Sequence, residues 1–210
     1  MTPPTPQLRA LPPLLVLTDR RAAAARGRSL HQTVAAAVAG GARAVVLREK
    51  DLSRPQRARL AERLRELLAP VAGLLIVASD ASLGGNGVHL AETDAPVRGP
   101  LVGRSCHDTA GLSRAAAEGC AYATVSPVCP TSSKPGYGPA LGFDGLRASV
   151  AQATVAVYAL GGVRASGAAA CRRAGAAGVA VMGAVMGAAD PAAEVAALLA
   201  AWTDAAAVRR

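Results

Sequence analysis

One pattern recurs along this chain and limits what it can fold into. "GARAVVL" (41–47), "GCAYATV" (119–125) and "GAAGVAV" (175–181) each follow an alanine-rich stretch that reads as helix. Each opens on glycine and passes into a run rich in β-branched residues, and "GNGVHL" (85–90) is a shorter version of the same joint. Glycine suits the position just past a helix C-terminus, where the backbone turns left-handed. A short, continuous apolar run is how a strand buried on both faces reads. Repeated helix-to-strand joints of this kind imply βα units and a parallel sheet.

The pattern predicts strands at 14–18, 44–48, 73–78, 87–90, 101–105, 121–126, 155–160 and 178–182. It predicts helices near 29–40, 53–69, 108–118, 142–152, 165–174 and 190–207. In the second of these, Leu60, Leu64, Leu67 and Leu68 share a face. Eight strands with helices between most of them indicate an α/β fold, a single (β/α)8 barrel of the TIM type. The barrel would span residues 14–207, with residues 1–13 as a tail. The crossovers after the third and fourth strands are too short for full helices, and a doubly wound open sheet is the alternative. At 210 residues, one domain with a sizeable core is expected.

Composition narrows the partners. No apolar run approaches the roughly 20 residues of a membrane span. "LPPLLVLTD" is too short for one, and no basic segment with a cleavage site precedes it, so a cytoplasmic protein is expected. Cys106, Cys120, Cys129 and Cys171 form no CxxC pair, which argues against zinc and for reduced, buried thiols. A net charge of +9 would allow nucleic acid, but the chain has no dense basic run and only 2% aromatic residues for stacking. An anionic small molecule fits better. Of 23 basic residues only Lys50 and Lys134 are lysines, and Lys134 stands in "TSSKPGYGP" (131–139) among hydroxyls, glycines and prolines. Lysine presents a compact charge suited to a single phosphate oxygen.

Barrel enzymes place their chemistry at the C-terminal strand ends. Those positions hold Thr18 and Asp19, then Arg48, Glu49, Lys50 and Asp51, then Glu92 and Asp94. Ser105 and His107 follow, then Thr131, Ser133 and Lys134, then Gly161 and Gly162, then Met182 and Gly183. Glycines after the last two strands let backbone N–H groups approach a phosphate. Further anionic charge is expected near Arg48, Lys50 and Lys134, and Asp94 could hold a divalent cation between phosphates. Glu49 is either catalytic or a buried charge paired with an arginine under the rim. His89, in an apolar strand, reads as a satisfied core residue. His107 is open to either role, and His31 reads as surface. Cys106 and His107 are neighbours on a strand and point to opposite faces, which argues against a thiol nucleophile.

"LTD" (17–19), "LREKD" (47–51), "GVHL" (87–90), "GRSCH" (103–107), "SPVCPTSSKPG" (126–136), "ALGGV" (159–163) and "GVAVMGAV" (178–185) together resemble the thiamine phosphate synthase/TenI family. The resemblance runs from about residue 14 to residue 200 and implies a (β/α)8 barrel. It implies a transferase of thiamine biosynthesis that joins a hydroxymethylpyrimidine diphosphate to a thiazole phosphate and releases pyrophosphate. Arg48, Lys50 and Lys134 would hold the diphosphate, and Asp94 would ligate Mg2+. Ser105 would face the pyrimidine, while Thr131 and Ser133 would contact phosphate oxygens. The backbones of Gly162, Met182 and Gly183 would hold the thiazole phosphate. The chain departs from the synthases at Val46, where they carry glutamine. It departs again at Ala78 and Ser79, where they carry an asparagine and a metal-binding aspartate; Asp80 would replace that ligand after a shift of one residue. The TenI thiazole tautomerases carry a histidine where this chain has Pro127. A tautomerase and a non-catalytic phosphate-ligand-binding paralogue are the alternatives. Small-molecule phosphates are the expected partners, with neither nucleic acid nor membrane, and a homodimer is the assembly allowed for.

Overall fold

The computed structural model describes residues 11–131 and 139–207. Eight parallel strands follow one another around a closed barrel: β1 Leu14–Leu17, β2 Ala44–Leu47, β3 Leu74–Ala78, β4 Gly87–Leu90, β5 Val102–Cys106, β6 Tyr122–Val125, β7 Ala156–Leu160 and β8 Gly178–Val181. Each begins and ends within a residue of where the sequence places it. β8 pairs back onto β1, with Leu15 beside Ala180, so the sheet has no edge and the open-sheet alternative is excluded.

The helices are α1 Arg20–Ala24, α2 Leu30–Ala39, α3 Arg54–Leu68, α4 Thr109–Ala117, α5 Gly142–Gln152, α6 Ala165–Arg173, α7 Gly183–Met186 and α8 Pro191–Ala207. The short α1 and α7, directly after β1 and β8, are additions to the sequence reading. Between β3 and β4 the chain has only a 3-10 turn, Ala81–Leu83, and no helix separates β4 from β5. Ser29 and Ser53 open α2 and α3 as capping boxes with Gln32 and Gln56, satisfying backbone groups that a helix start leaves unpaired. The three glycines that announce the repeat, Gly41, Gly119 and Gly175, have φ of +110°, +75° and +95°. A side chain there would strain the turn from helix to strand, which is why glycine marks each joint. Among the described residues, no helix is long and apolar enough to cross a membrane.

Alternation along the strands divides the apolar residues into two cores. Val45, Leu47, Leu75, Val77 and Val179 face outward against helix residues such as Leu64, Leu68, Leu198 and Trp202. Leu15, Leu17, Val46 and Ile76 face inward and pack with Tyr122 and Tyr158. The two tyrosines are almost fully buried, and their rings meet edge to face with centroids 5.5 Å apart. Each lies beside a glycine on a neighbouring strand: Gly103 of β5 is the register partner of Tyr122, and Gly178 of β8 that of Tyr158. A methyl group on either glycine would overlap the partner ring. Two large rings thus fill a barrel that has few others, and two glycines make the space for them. Tyr158 also donates to the carbonyls of Leu11 and Pro12, at 3.2 and 3.0 Å, and ties the segment before β1 to the barrel floor.

Gly103→Ala is expected to cost about 1–3 kcal/mol of stability through overpacking against Tyr122. Gly27→Ala, where a methyl group meets nothing within 4 Å, should cost only the strain of its left-handed backbone, about 1 kcal/mol. Urea unfolding of the two variants measures both; equal midpoints for Gly103→Ala and wild type would show that the ring does not occupy this space.

Candidate active site

A cavity of about 360 Å³ opens at the C-terminal ends of the strands. At the end of β2 the alternation of side chains sorts charge. Arg48 and Lys50 line the cavity, whereas Glu49 and Asp51 turn away to meet Arg20 at the start of α1. Glu49 is 5% exposed and accepts from the Arg20 backbone N–H at 3.0 Å and its guanidinium at 2.9 Å. Asp51 takes two guanidinium bonds from Arg20 at 2.7 Å, which hold its pKa down to about 2, and a third from Arg21. Of the two readings open for Glu49, the structure gives the buried ion pair under the rim. Thr18, itself buried, accepts the Arg48 N–H at 2.9 Å, and Asp19 caps α1 rather than facing the cavity. The Arg48 guanidinium reaches Met182 Sδ at 3.3 Å, linking the ends of β2 and β8.

On the β3–β5 side the wall is the loop 91–94. Arg104 points outward from β5, is 1% exposed, and donates to the carbonyls of Ala91, Glu92 and Asp94 at 2.9, 3.1 and 2.9 Å. Its other terminal nitrogen pairs with Glu118 at 2.6 Å. Sequence reasoning missed this residue; an arginine at an outward position of an apolar strand was the signal. The loop holds Asp94 beside Ser79. Asp94 Oδ2 accepts the Ser79 hydroxyl at 2.5 Å and the Ala91 N–H at 2.7 Å. Burial opposes ionisation of Asp94, but these two bonds and the charges of Lys50 and Arg104 outweigh it and hold the carboxyl below its ordinary pKa. Ser79 has φ +62°, a conformation costly for a side-chain-bearing residue, and its hydroxyl and N–H bonds anchor it there.

Asp80 does not join this pair. Its carboxylate accepts from Ser82, capping the turn 81–83, and faces Arg54 at 3.5 Å. The left-handed turn at Ser79 leads the chain out of β3 into the 81–83 turn, and there the Asp80 carboxylate is engaged by Ser82 and Arg54 rather than by the Ser79–Asp94 pair. Among the described residues, no cluster of three or more His, Cys, Asp or Glu could hold a metal.

Thr131, Gly161, Gly162, Met182 and Gly183 line the cavity at the ends of β6, β7 and β8. Gly162, at φ +66°, has the carbonyl oxygens of Pro130 and Cys129 where a side chain would go, the latter 2.7 Å from an ideal Cβ. Glycine there lets the loop after β7 close on the segment that carries Thr131, a packing requirement beyond access for a ligand. Pro127 lines the cavity on the same side. Ser133 and Lys134 lie outside the described residues.

Ser105, His107 and His89 all line the cavity. His107 Nδ1 lies 2.8 Å from the Ser126 carbonyl, and Nε2 lies 3.6 Å from Glu92. His89 is both a satisfied core residue and part of the wall: Nδ1 meets the Tyr122 hydroxyl at 3.0 Å, and Nε2 meets Ser105 Oγ at 2.9 Å. Burial, with the charges of Lys50 and Arg48, pushes its pKa down to about 4. Cys106 is buried on the outer face, with its thiol pushed up to about 11 by burial, and cannot serve as a nucleophile. All four cysteines are free thiols.

The family model described as thiamine monophosphate synthase matches residues 14–185. A thiamine-phosphate synthase of Chloroflexus aurantiacus is 35% identical over 183 residues, 81% of this chain and 83% of that one. One of Methanoculleus marisnigri is 36% identical over 184 residues, 81% and 86% of the two chains. Among solved structures, thiamine phosphate pyrophosphorylase from Pyrococcus furiosus superposes with a TM-score of 0.81 at 26% identity, covering 91% of this chain and 96% of its own. Orotidine 5'-phosphate decarboxylase from Pyrococcus horikoshii, at 12% identity and a TM-score of 0.65 over 90% and 99% of the two chains, shares the fold alone.

The depressed pKa of His89 has a consequence for stability. As pH falls below its ordinary value of 6.5, the unfolded chain takes the proton and the folded chain does not. The folded state is therefore expected to lose stability progressively from about pH 6.5 down to about pH 4. Urea unfolding across this range should show the slope, and His89→Gln should flatten it. An unchanged slope in the variant would place the acid sensitivity elsewhere.

Proposed function

The chain belongs to the thiamine monophosphate synthase family, and from that premise we propose that it joins hydroxymethylpyrimidine diphosphate to a thiazole phosphate with release of pyrophosphate. The observation that supports this most directly is that one cavity offers two unlike places for anions. Arg48 and Lys50 make a cationic wall, and the backbone at Gly162, Met182 and Gly183 makes a wall without charged side chains. Between them Leu17, Ala78 and Leu160 supply apolar surface for rings. A diphosphate suits the first wall and a monophosphate the second.

The C–O bond between the pyrimidine methylene and the diphosphate breaks, pyrophosphate leaves, and the thiazole nitrogen forms a C–N bond to the resulting cation. Negative charge grows on the pyrophosphate as the bond stretches. Arg48, Lys50 and, by the family resemblance, Lys134 then bind the transition state more strongly than the substrate, which raises the rate. Thr131 and Ser133 serve phosphate oxygens, and Ser105 serves the pyrimidine. Val46 is buried in the inner core and Ala78 is apolar, so neither supplies the polar contact that glutamine and asparagine give other synthases. The tautomerase alternative is not favoured, because Pro127 can neither take nor give a proton.

The residues fit Mg2+ only as a cation that brings most of its own oxygens. Asp94 Oδ2 is occupied by two hydrogen bonds, Oδ1 has none among the described residues, and Ser79 offers no second carboxylate. Asp94 would hold the ion, which would supply charge neutralisation to the phosphates. Calorimetry should therefore find weak Mg2+ binding to the protein alone and much tighter binding with the pyrimidine diphosphate present. Tight binding without it would mean that a further ligand exists.

Single-turnover release of pyrophosphate, with both substrates saturating, tests the reaction. The wild type should release it, and Lys134→Ala should slow release by roughly 10²–10³-fold, as for loss of a fixed electrostatic donor. Lys134→Arg should recover part of the loss, because a planar fork replaces a point charge. No release by the wild type would overturn the synthase reading; a Lys134→Ala rate equal to wild type would remove this lysine from it.

A further inference from the structure

We propose that Tyr122 and His89 are positioning residues that fix Ser105 as a hydrogen-bond donor toward the substrate, so that the site selects a ring presenting an unprotonated nitrogen at that point. The identity of the ring rests on the synthase reading; the direction of the hydrogen bonds does not.

The chain of contacts runs from the barrel floor to the cavity. Tyr122 is fully buried, and its hydroxyl lies 3.0 Å from His89 Nδ1. Nε2 of the same ring lies 2.9 Å from Ser105 Oγ, which lines the cavity. A neutral imidazole has one nitrogen that donates and one that accepts, so two directions are open. If Nδ1 carried the proton, it would donate to the Tyr122 oxygen. The phenol proton would then need another acceptor, and among the described residues the hydroxyl has only His89. A buried hydroxyl left without an acceptor costs more than a made bond contributes. The other direction satisfies every group: Tyr122 donates to Nδ1, Nε2–H donates to Ser105 Oγ, and the serine proton is left to donate into the cavity.

Two surroundings hold this arrangement in place. Burial drives the Tyr122 pKa far above its usual value, so it keeps its proton. Burial and the charges of Lys50 and Arg48 keep His89 neutral, so its accepting nitrogen is retained. The rings of His89 and Tyr122 also stack, with centroids 5.5 Å apart at 26°, which limits rotation of the imidazole. Lone pairs on a substrate ring nitrogen would meet the Ser105 proton. A ring with C–H or N–H at that point would meet a donor it cannot satisfy, and polar mismatches of this kind discriminate strongly.

The chain has three histidines, so the imidazole nitrogens can be followed by 15N NMR of the full-length protein labelled at histidine. The spectrum of His89→Gln identifies the His89 signals. At neutral pH the wild type should show Nε2 protonated and Nδ1 as the acceptor; the reverse tautomer, or an even mixture, overturns the proposal. A double-mutant cycle on kcat/KM for pyrophosphate release supplies the second measurement. Tyr122→Phe keeps the ring that packs on Gly103 and should lower kcat/KM about tenfold. In a Ser105→Ala background the same change should cost less than about twofold, since its effect passes through the serine. Equal losses in both backgrounds would make Tyr122 a packing residue only and overturn its positioning role. If the expected tautomer is found and no pyrophosphate is released, the synthase reading fails while the direction of the hydrogen bonds stands.

Discussion

The barrel depends on filling its own interior. Eight strands enclose a space that must be packed with side chains, since voids forfeit contacts on every wall. This chain contains one Phe, one Trp and three Tyr, and spends two of the tyrosines there. Each is accommodated by a glycine at the register-paired position of a neighbouring strand. The pairing works only if the register is held across β5–β6 and β7–β8, so strand pairing and inner packing enforce each other. Everything above the rings, including His89 and the lining of the cavity, stands on this floor.

The same alternation that separates the two cores builds the site. At β2, inward positions carry cations and outward positions carry the carboxylates that bind Arg20. At β5, Gly103, Ser105 and His107 face inward while Arg104 reaches around the outside to hold three carbonyls of the 91–94 loop. The loop is thereby placed by a buried cation that never enters the cavity. Asp94 inherits its position from that placement, and Ser79 meets it where a second carboxylate would stand in other synthases.

The fold was legible because its signals are local. A glycine in the left-handed region and a short apolar run can be read within about seven residues, and all eight strands lie where those runs are. The strand-end residues followed, since topology alone brings Arg48, Lys50, Ser105, Thr131 and Gly162 to one mouth. What escaped the sequence depends on partners far along the chain. The sequence allows an arginine partner for Glu49 as one of two readings but does not identify it as Arg20, which lies about thirty residues before Glu49 and Asp51. Tyr122 meets His89 thirty-three residues back. No periodicity encodes such pairings, and Asp80 is drawn into capping the 81–83 turn, a role set by the left-handed backbone at Ser79. Ser133 and Lys134 stand on the family resemblance alone.

The distribution of lysine has a practical meaning. Nearly all the positive charge of this chain is guanidinium, which is inert to acylating and aldehyde reagents because it does not deprotonate in proteins. Lysine amines occur only at Lys50, on the cavity wall, and at Lys134, three residues after Thr131 in sequence. An amine-directed label applied to the protein has no other lysine side chain to consume it. The α-amine also reacts, so labelling is read at the peptide that carries Lys50, where suppression by an occupying anion would report occupancy of the cavity without any need to turn the enzyme over.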